Sequence, residues 1–310
     1  MKVFFHNFNP ESNSGPNKFT RQLATNLINR EKIQIARSQN EADAEFCLIS
    51  RALLRVKPTL LRLDGIYFNS KQDFMSQNEP IKFAYKTSDC VVFQSEFNKE
   101  LTIKWFGPHE NTCVIPNMPD YSKISLARPE IFDKVVDREV DVWSCASSWR
   151  PHKRLSENLR YFLEFSNPDS VCLVAGKDAD LSIIREYEKK SEGRVKYVGE
   201  LGYLELLSLY KRSSHFVHLA YMDHCPNVVV DAQASGCKVV CSSSGGTSEI
   251  VSNGIEIEDP EWNFKAIDLY DPPSMNFDKS TDLKKSLTGD IQVAADLYYD
   301  KLLEITDDRD

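Results

Sequence analysis

Tyr221-Met-Asp-His-Cys-Pro-Asn-Val-Val-Val-Asp-Ala-Gln-Ala-Ser-Gly236, followed at once by Cys237-Lys-Val-Val-Cys-Ser-Ser-Ser-Gly-Gly-Thr-Ser-Glu249, is the stretch that decides the fold. A strand is expected to end near Ala220, with a short polar loop carrying Asp223. Pro226 suits the first helical position, where its missing N–H has no partner to lose. Asn227 and Val228 then present backbone N–H groups at a helix start, a ready anion site at the carboxyl end of a strand. Asp231 falls one turn further in, and Gly236 stops the helix before the next strand begins. Two carboxylates eight positions apart therefore flank a helix N-terminus. One is placed for a sugar next to a bound phosphate, the other for the vicinal diol of a ribose. A carboxylate accepting from ribose hydroxyls contributes about 1.5–3 kcal/mol per bond.

The same alternation of short apolar runs and amphipathic stretches extends to both ends of the chain. In the first half, strand-like runs fall at 2–7, 32–36, 45–50, 59–64, 90–94 and 112–116. In the second they fall at 140–146, 170–176, 194–199, 215–220, 237–242 and 254–258. Helical periods occupy 18–29, 96–106, 156–165, 181–190, 203–212 and 227–235, with another at 291–305. Val/Ile/Leu-rich strands separated by helices indicate parallel sheets covered on both faces. The series runs twice, which predicts an α/β chain of two Rossmann-like, doubly wound domains. Their expected bounds are 1–120 and 140–290. The aperiodic, proline-containing stretch 121–139 reads as a linker, and 291–310 as a helix and tail able to pack back on the first domain.

Composition narrows the function. Hydrophobic residues make up 41% and charged residues 27% of the 310, within the globular range. A net charge of −8 argues against a general nucleic-acid binder, which needs a basic face. The apolar start Met1-Lys-Val-Phe-Phe5 is too short for a signal sequence, and no run approaches the length of a membrane helix. The eight cysteines sit mostly inside apolar runs and form no Cys-x-x-Cys pair, which reads as reduced thiols in the cytoplasm. His215 and His218 lie on one strand three positions apart, so their rings face opposite sides. Asp178-Ala-Asp180 precedes a helix, where aspartates serve as caps. No Gly-x-Gly-x-x-Gly is present, which disfavours a nicotinamide or flavin enzyme.

The segment 221–249 resembles the donor site of the retaining GT-B glycosyltransferases of family 4, also called glycosyl transferases group 1. That family's pattern is Glu, seven residues and Glu, then a small-residue helix end, a Val-Val strand and Gly-Gly-x-x-Glu. Here Asp223 and Asp231 stand at the acidic positions, followed by Gly245-Gly246 and Glu249. The resemblance makes Asp231 the ribose partner, Asp223 a donor-sugar contact, and Pro226, Asn227, Val228 and Glu249 parts of the donor site. Aspartate for glutamate shortens each arm by about 1.5 Å.

Further stretches are similar to that family. Ser147-Ser-Trp-Arg-Pro-His-Lys-Arg154 resembles a loop whose basic pair clamps the diphosphate, with Arg150 and Lys153 as candidates. The family spacing is longer, so Arg154 stands beside them. Such a pair stabilises charge on the leaving group without a metal. Gly15 falls where the family has a glycine-rich loop opening the first helix, and a plain helix cap explains it equally. Gly199 falls in the loop lining the base pocket. Asp64, in Arg62-Leu-Asp-Gly65, stands near the region where relatives carry a histidine, as a sugar contact or a turn-stabilising residue.

The resemblance implies GT-B architecture, two domains facing across a cleft. It implies transfer of a sugar from a nucleoside-diphosphate donor, UDP favoured over GDP, to a hydroxyl of a carbohydrate or glycan, with retention. No metal and no cofactor beyond the sugar nucleotide are expected. The leaving phosphate itself takes the acceptor proton. An alternative is a catalytically inactive relative that binds a nucleotide or glycan. An epimerase or a phosphorylase on the same fold is a further rival, and donor hydrolysis separates chemistry from mere binding.

Overall fold

The chain alternates strand and helix because its β-branched and aromatic runs are too short to be helices and are separated by amphipathic segments. The computed structural model describes residues 1–12, 14–286 and 288–307. The chain divides into two compact units, Met1–Met118 with Phe264–Ile267 and Gly289–Asp310, and Pro119–Asn263 with Asp268–Thr288.

In the first unit, β1 (Lys2–His6), α1 (Gly15–Asn29), β2 (Gln34–Ile35), β3 (Ala44–Leu48) and β4 (Thr59–Leu63) are followed by α2 (Phe74–Thr87), β5 (Cys90–Phe93), α3 (Glu96–Phe106) and β6 (Thr112–Val114). The strands form one parallel sheet in the order β2-β1-β3-β4-β5-β6. Helix α2 has no counterpart among the helices expected from sequence, because Pro80 lies inside it and interrupts the period. Asn78 secures that helix by exchanging two bonds with the Tyr67 backbone, at 2.7 and 2.8 Å.

The second unit opens on α4 (Tyr121–Ser125) and a 3₁₀ turn at Pro129–Lys134. The stretch 121–139 is thus not a free tether. Ile124, Ala127, Phe132 and Val136 are buried in the same cluster as Val142, Leu207 and Tyr210. Its helical pieces are too short to show a period in sequence. There follow β7 (Val142–Ala146), α5 (Leu155–Phe165), β8 (Val171–Ala175), α6 (Leu181–Lys190), β9 (Val195–Gly199), α7 (Tyr203–Arg212), β10 (His215–His218), α8 (Asn227–Ala234), β11 (Lys238–Ser242), β12 (Asn253–Ile257) and β13 (Ser280–Lys284). The sheet order is β13-β12-β11-β10-β7-β8-β9, parallel except for β13, which pairs antiparallel with β12. Strand β13 escapes the sequence reading because four of its five residues are exposed and polar. Alternation along β7 feeds two cores: Val142 and Ala146 face the layer of α7 and α8, and Trp143 and Cys145 face that of α5 and α6.

The last helix, α9 (Ile291–Asp307), returns to the first unit and packs on α1 and β4. Ala294, Tyr298, Leu302 and Ile305 form its buried stripe, with the Tyr298 ring 6.2 Å from Phe19 and 5.9 Å from Phe46. The tail beyond Asp307 lies outside the described residues. Among the described residues, no helix is long and apolar enough to cross a membrane.

Candidate functional site

Strand order fixes where a site belongs in the second unit. From β7 the chain steps to β8 and β9 on one side, then returns to place β10, β11 and β12 on the other. The crevice at the carboxyl ends of β7 and β10 is therefore the topological switch point, where open α/β sheets take ligands. Lys153 closes a short 3₁₀ turn (Pro151–Lys153) in the loop after β7, and Asp223 lies in the loop after β10. Their side chains meet, with Lys153 Nζ 2.5 Å from Asp223 Oδ2.

The Asp223 carboxylate is held on every side. Its Oδ2 also accepts from His218 Nε2 at 3.1 Å, and its Oδ1 accepts from the His224 backbone N–H at 3.0 Å. The Gly246 N–H donates to its backbone carbonyl at 2.7 Å. Gly245 has φ +81°, and a Cβ there would stand 2.3 Å from the Asp223 carbonyl oxygen. Only glycine permits that approach, so Gly-Gly acts here as a backbone cradle for the acidic loop. Burial pushes the Asp223 carboxyl upward. The Lys153 ammonium and the His218 bond outweigh it and hold the group well below the usual carboxylate range. Burial, aided by the Lys153 charge, pushes His152 down to about 3, and burial brings His224 to about 4. Both imidazoles are neutral at pH 7, and Lys153 is the cation that faces Asp223.

Beyond Asp223 the loop runs through Cys225 and Pro226 into α8, which begins at Asn227. Pro226 is its N-cap and not its first residue. The Pro226 carbonyl accepts from Val229 at 3.0 Å and Val230 at 3.3 Å, so the helix's own ladder starts there. The Asn227 and Val228 N–H groups precede that ladder at the positive end of the helix. Asp231 is buried one turn in, and its Oδ1 accepts from Tyr203 Oη at 3.3 Å. Glu249 lies in the 3₁₀ turn Ser248–Ile250 that follows the glycine cradle. Gly199 ends β9 with φ +79°, and its carbonyl accepts from Gly176 N–H at 2.8 Å.

The three basic candidates of the β7 loop separate. Arg154 is turned inward, with a bidentate pair to Asp259 at 2.9 Å and a bond to the Pro273 carbonyl at 2.8 Å. It is a structural residue. Arg150 is exposed on the rim of a cavity of about 350 Å³ that Trp149, Leu155, Ile183 and Pro273 also line. Arg150 and Lys153 flank one turn, the Lys153 N–H donating to the Arg150 carbonyl at 2.8 Å, and of their two side chains that of Lys153 is paired with Asp223. Asp180 caps α6, accepting from the Ser182 N–H at 2.8 Å. His215 stacks on Trp143 at 4.1 Å while His218 serves Asp223, the opposed faces expected of strand neighbours.

Two candidates belong to the first unit. Asp64 follows β4 and pairs with the fully buried Arg62, which also bonds Asn117 Oδ1 at 2.7 Å and Tyr298 Oη at 3.1 Å. Burial raises the Asp64 carboxyl and Arg62 only partly offsets it. Its observed work is as counter-ion in a buried network. Gly15 is the first residue of α1, after the N-cap Ser14. Sequence reasoning missed His218 as a partner of Asp223, although the two stand only five residues apart. The signal was positional: a polar residue ending an apolar strand points into the crevice.

Residues 136–267 match the family model of the glycosyl transferases group 1. The matched span contains Arg150, Lys153, Asp223, Asp231 and Glu249. The chain is 23% identical over 206 residues to a GDP-mannose-dependent monoacylated alpha-(1-6)-phosphatidylinositol monomannoside mannosyltransferase of Corynebacterium glutamicum. That alignment covers 60% of this chain and 54% of the relative, so the chain spans about half the relative's length. Among solved structures, HepE of Anabaena in complex with UDP-glucose superposes with a TM-score of 0.63 at 15% identity, covering 99% of this chain and 91% of that one. Sucrose-phosphate synthase of Thermosynechococcus elongatus gives 0.64 at 12% identity, covering 79% and 82%. The two parallel-sheet domains have the GT-B architecture. The family match ties residues 136–267 to the glycosyl transferases group 1, and the solved neighbours show the fold.

Proposed function

We propose that the chain is a retaining glycosyltransferase that moves a sugar from a nucleoside-diphosphate sugar to a hydroxyl of a carbohydrate or glycan acceptor. The observation that carries this reading is the meeting of Lys153 and Asp223 at the switch point beside the start of α8. An ammonium and the N-terminus of a helix there supply positive charge for a diphosphate. Asp231, one turn inside α8, is the ribose partner. Asp223 sits three residues before the N-cap, on the side where a donor sugar would project. UDP is favoured over GDP: HepE, which superposes over nearly the whole chain, was solved with UDP-glucose. The corynebacterial relative is named as GDP-mannose-dependent and is matched over a smaller share.

In the reaction, charge grows on the leaving diphosphate as the anomeric C–O bond lengthens. Lys153 and the α8 N–H groups stabilise that charge, with the exposed Arg150 available as a second cation once a donor is present. The acceptor hydroxyl attacks from the leaving-group face and passes its proton to the departing phosphate. Turnover is expected to be unchanged in EDTA, because Lys153 supplies the charge a metal otherwise would. Loss of activity that manganese restores would overturn that point.

Ribose recognition is tested by calorimetry. Asp231→Ala, confirmed as folded, is expected to weaken nucleoside-diphosphate binding by about tenfold or more, about 1.4 kcal/mol. Unchanged affinity would remove Asp231 from the donor site.

A further inference from the structure

Two donors converge on one oxygen. Asp223 Oδ2 receives Lys153 Nζ at 2.5 Å and His218 Nε2 at 3.1 Å, while Oδ1 is occupied by a backbone N–H. Because Asp223 is ionised, His218 must carry its hydrogen on Nε2, which leaves Nδ1 as the position that takes up a second proton. His218 is 4% exposed at the end of β10, with Phe216 stacked at 6.1 Å. The groups that act on it come from two loops. From the β7 loop come Lys153, which disfavours its protonation, and His152, which is neutral. From the β10 loop comes Asp223, which favours protonation.

A diphosphate at this crevice changes the balance in one direction. It brings negative charge, and it draws the lysine ammonium, the chief counter-ion of Asp223, toward itself. A buried carboxylate left with a neutral partner is costly unless that partner gains charge. Protonation of His218 on Nδ1, with the proton taken from solvent, turns the Nε2–H bond into an imidazolium–carboxylate pair and keeps Asp223 in place.

We propose that His218 is the positioning residue that retains Asp223 when Lys153 turns to the donor diphosphate, and that donor binding is accompanied by uptake of a proton on its imidazole. This rests on Lys153 being the diphosphate-binding cation. In the free protein burial is the largest influence on His218 and keeps it below the ordinary histidine value of 6.5. Donor binding raises it. A group whose affinity for protons rises on binding takes up protons at pH values between its free and bound titrations. Donor affinity therefore falls as pH rises through the bound value, by up to about tenfold per pH unit.

The test is titration calorimetry with a UDP-sugar and a GDP-sugar, whose phosphates do not titrate near neutrality. Each is run at about pH 6.5 in two buffers of different ionisation enthalpy. Wild type is expected to show buffer-dependent heat corresponding to about half to one proton taken up per site. His218→Gln keeps an amide that donates to Asp223 but does not titrate, and it is expected to bind with no buffer dependence. Should that variant fail to fold by its thermal transition, Asp223→Asn replaces it, since removing the carboxylate charge removes the reason for uptake. Wild-type binding without proton uptake, or undiminished uptake in either variant, overturns the inference alone. Absence of binding by both sugar nucleotides overturns the functional reading and this inference with it.

Discussion

Lys153→Ala is expected to lower turnover by about 10²–10³, with a much smaller rise in the donor's Michaelis constant. The size follows from removing one preorganised electrostatic contact to charge that develops in the transition state. The split between the two constants follows from timing, because the diphosphate gains charge as the anomeric bond breaks and the ammonium then matters most. The structure sharpens the comparison with its neighbours. Arg154 is spent on Asp259 and Arg150 is exposed, so of the three cations Lys153 is the one paired with Asp223. Arg150→Ala is accordingly expected to have the smaller effect. Steady-state kinetics on both variants decides it, each checked for folding. A Lys153→Ala enzyme that turns over within about twofold of wild type would transfer the role to the helix start at Asn227 and Val228. Weakened donor binding with turnover intact would mean that the lysine grips the ground state only.

The positions of these elements were legible in the sequence to different degrees. Helices such as Glu96–Phe106 and Tyr203–Arg212 have stripes long enough to show a period, and central parallel strands such as β3, β5 and β7 are buried along their whole length. Helix α2 is hidden by Pro80, β13 by its exposed edge composition, and the pieces of 121–139 by their brevity. The site divides in the same way. Asp223, Asp231 and the glycine pair are local to one segment, so spacing reveals them. The convergence of Lys153, His218 and Asp223 depends on two strands, β7 and β10, that are distant in sequence and adjacent in the sheet. No spacing rule carries that adjacency. The same limit applies to the β7 loop, where three cations look equivalent until the left-handed turn at Arg154 (φ 50°) sends its side chain inward.

Asp259→Ala is expected to destabilise the second unit by about 3–5 kcal/mol, the cost of leaving one member of a buried ion pair without its partner. Arg154 and Asp259 side chains are 2% and 1% exposed, and their two parallel bonds are both 2.9 Å long. The guanidinium keeps weaker company after the substitution: the Pro273 carbonyl at 2.8 Å, the Leu219 carbonyl at 3.3 Å and the Tyr221 ring at 4.9 Å. Those neighbours carry only partial charge, so a full positive charge remains desolvated. Asp259 also accepts from Ser244 Oγ at 2.6 Å, and Ser244 Oγ in turn accepts from the Met222 N–H at 3.3 Å. The pair thus braces the loop that presents Asp223, and its loss should reach the site as well as the core. Urea unfolding of the full chain, followed through the fluorescence of the buried Trp143 and Trp149, reads the stability. A loss below about 1 kcal/mol would mean that water reaches the guanidinium and that the pair behaves as a surface bridge. Arg154→Met with Asp259→Ala separates the two contributions, because removing both charges is expected to recover much of the stability lost in the single variant. Recovery of stability without recovery of turnover would show that the pair's larger service is to hold the Asp223 loop in register with Lys153.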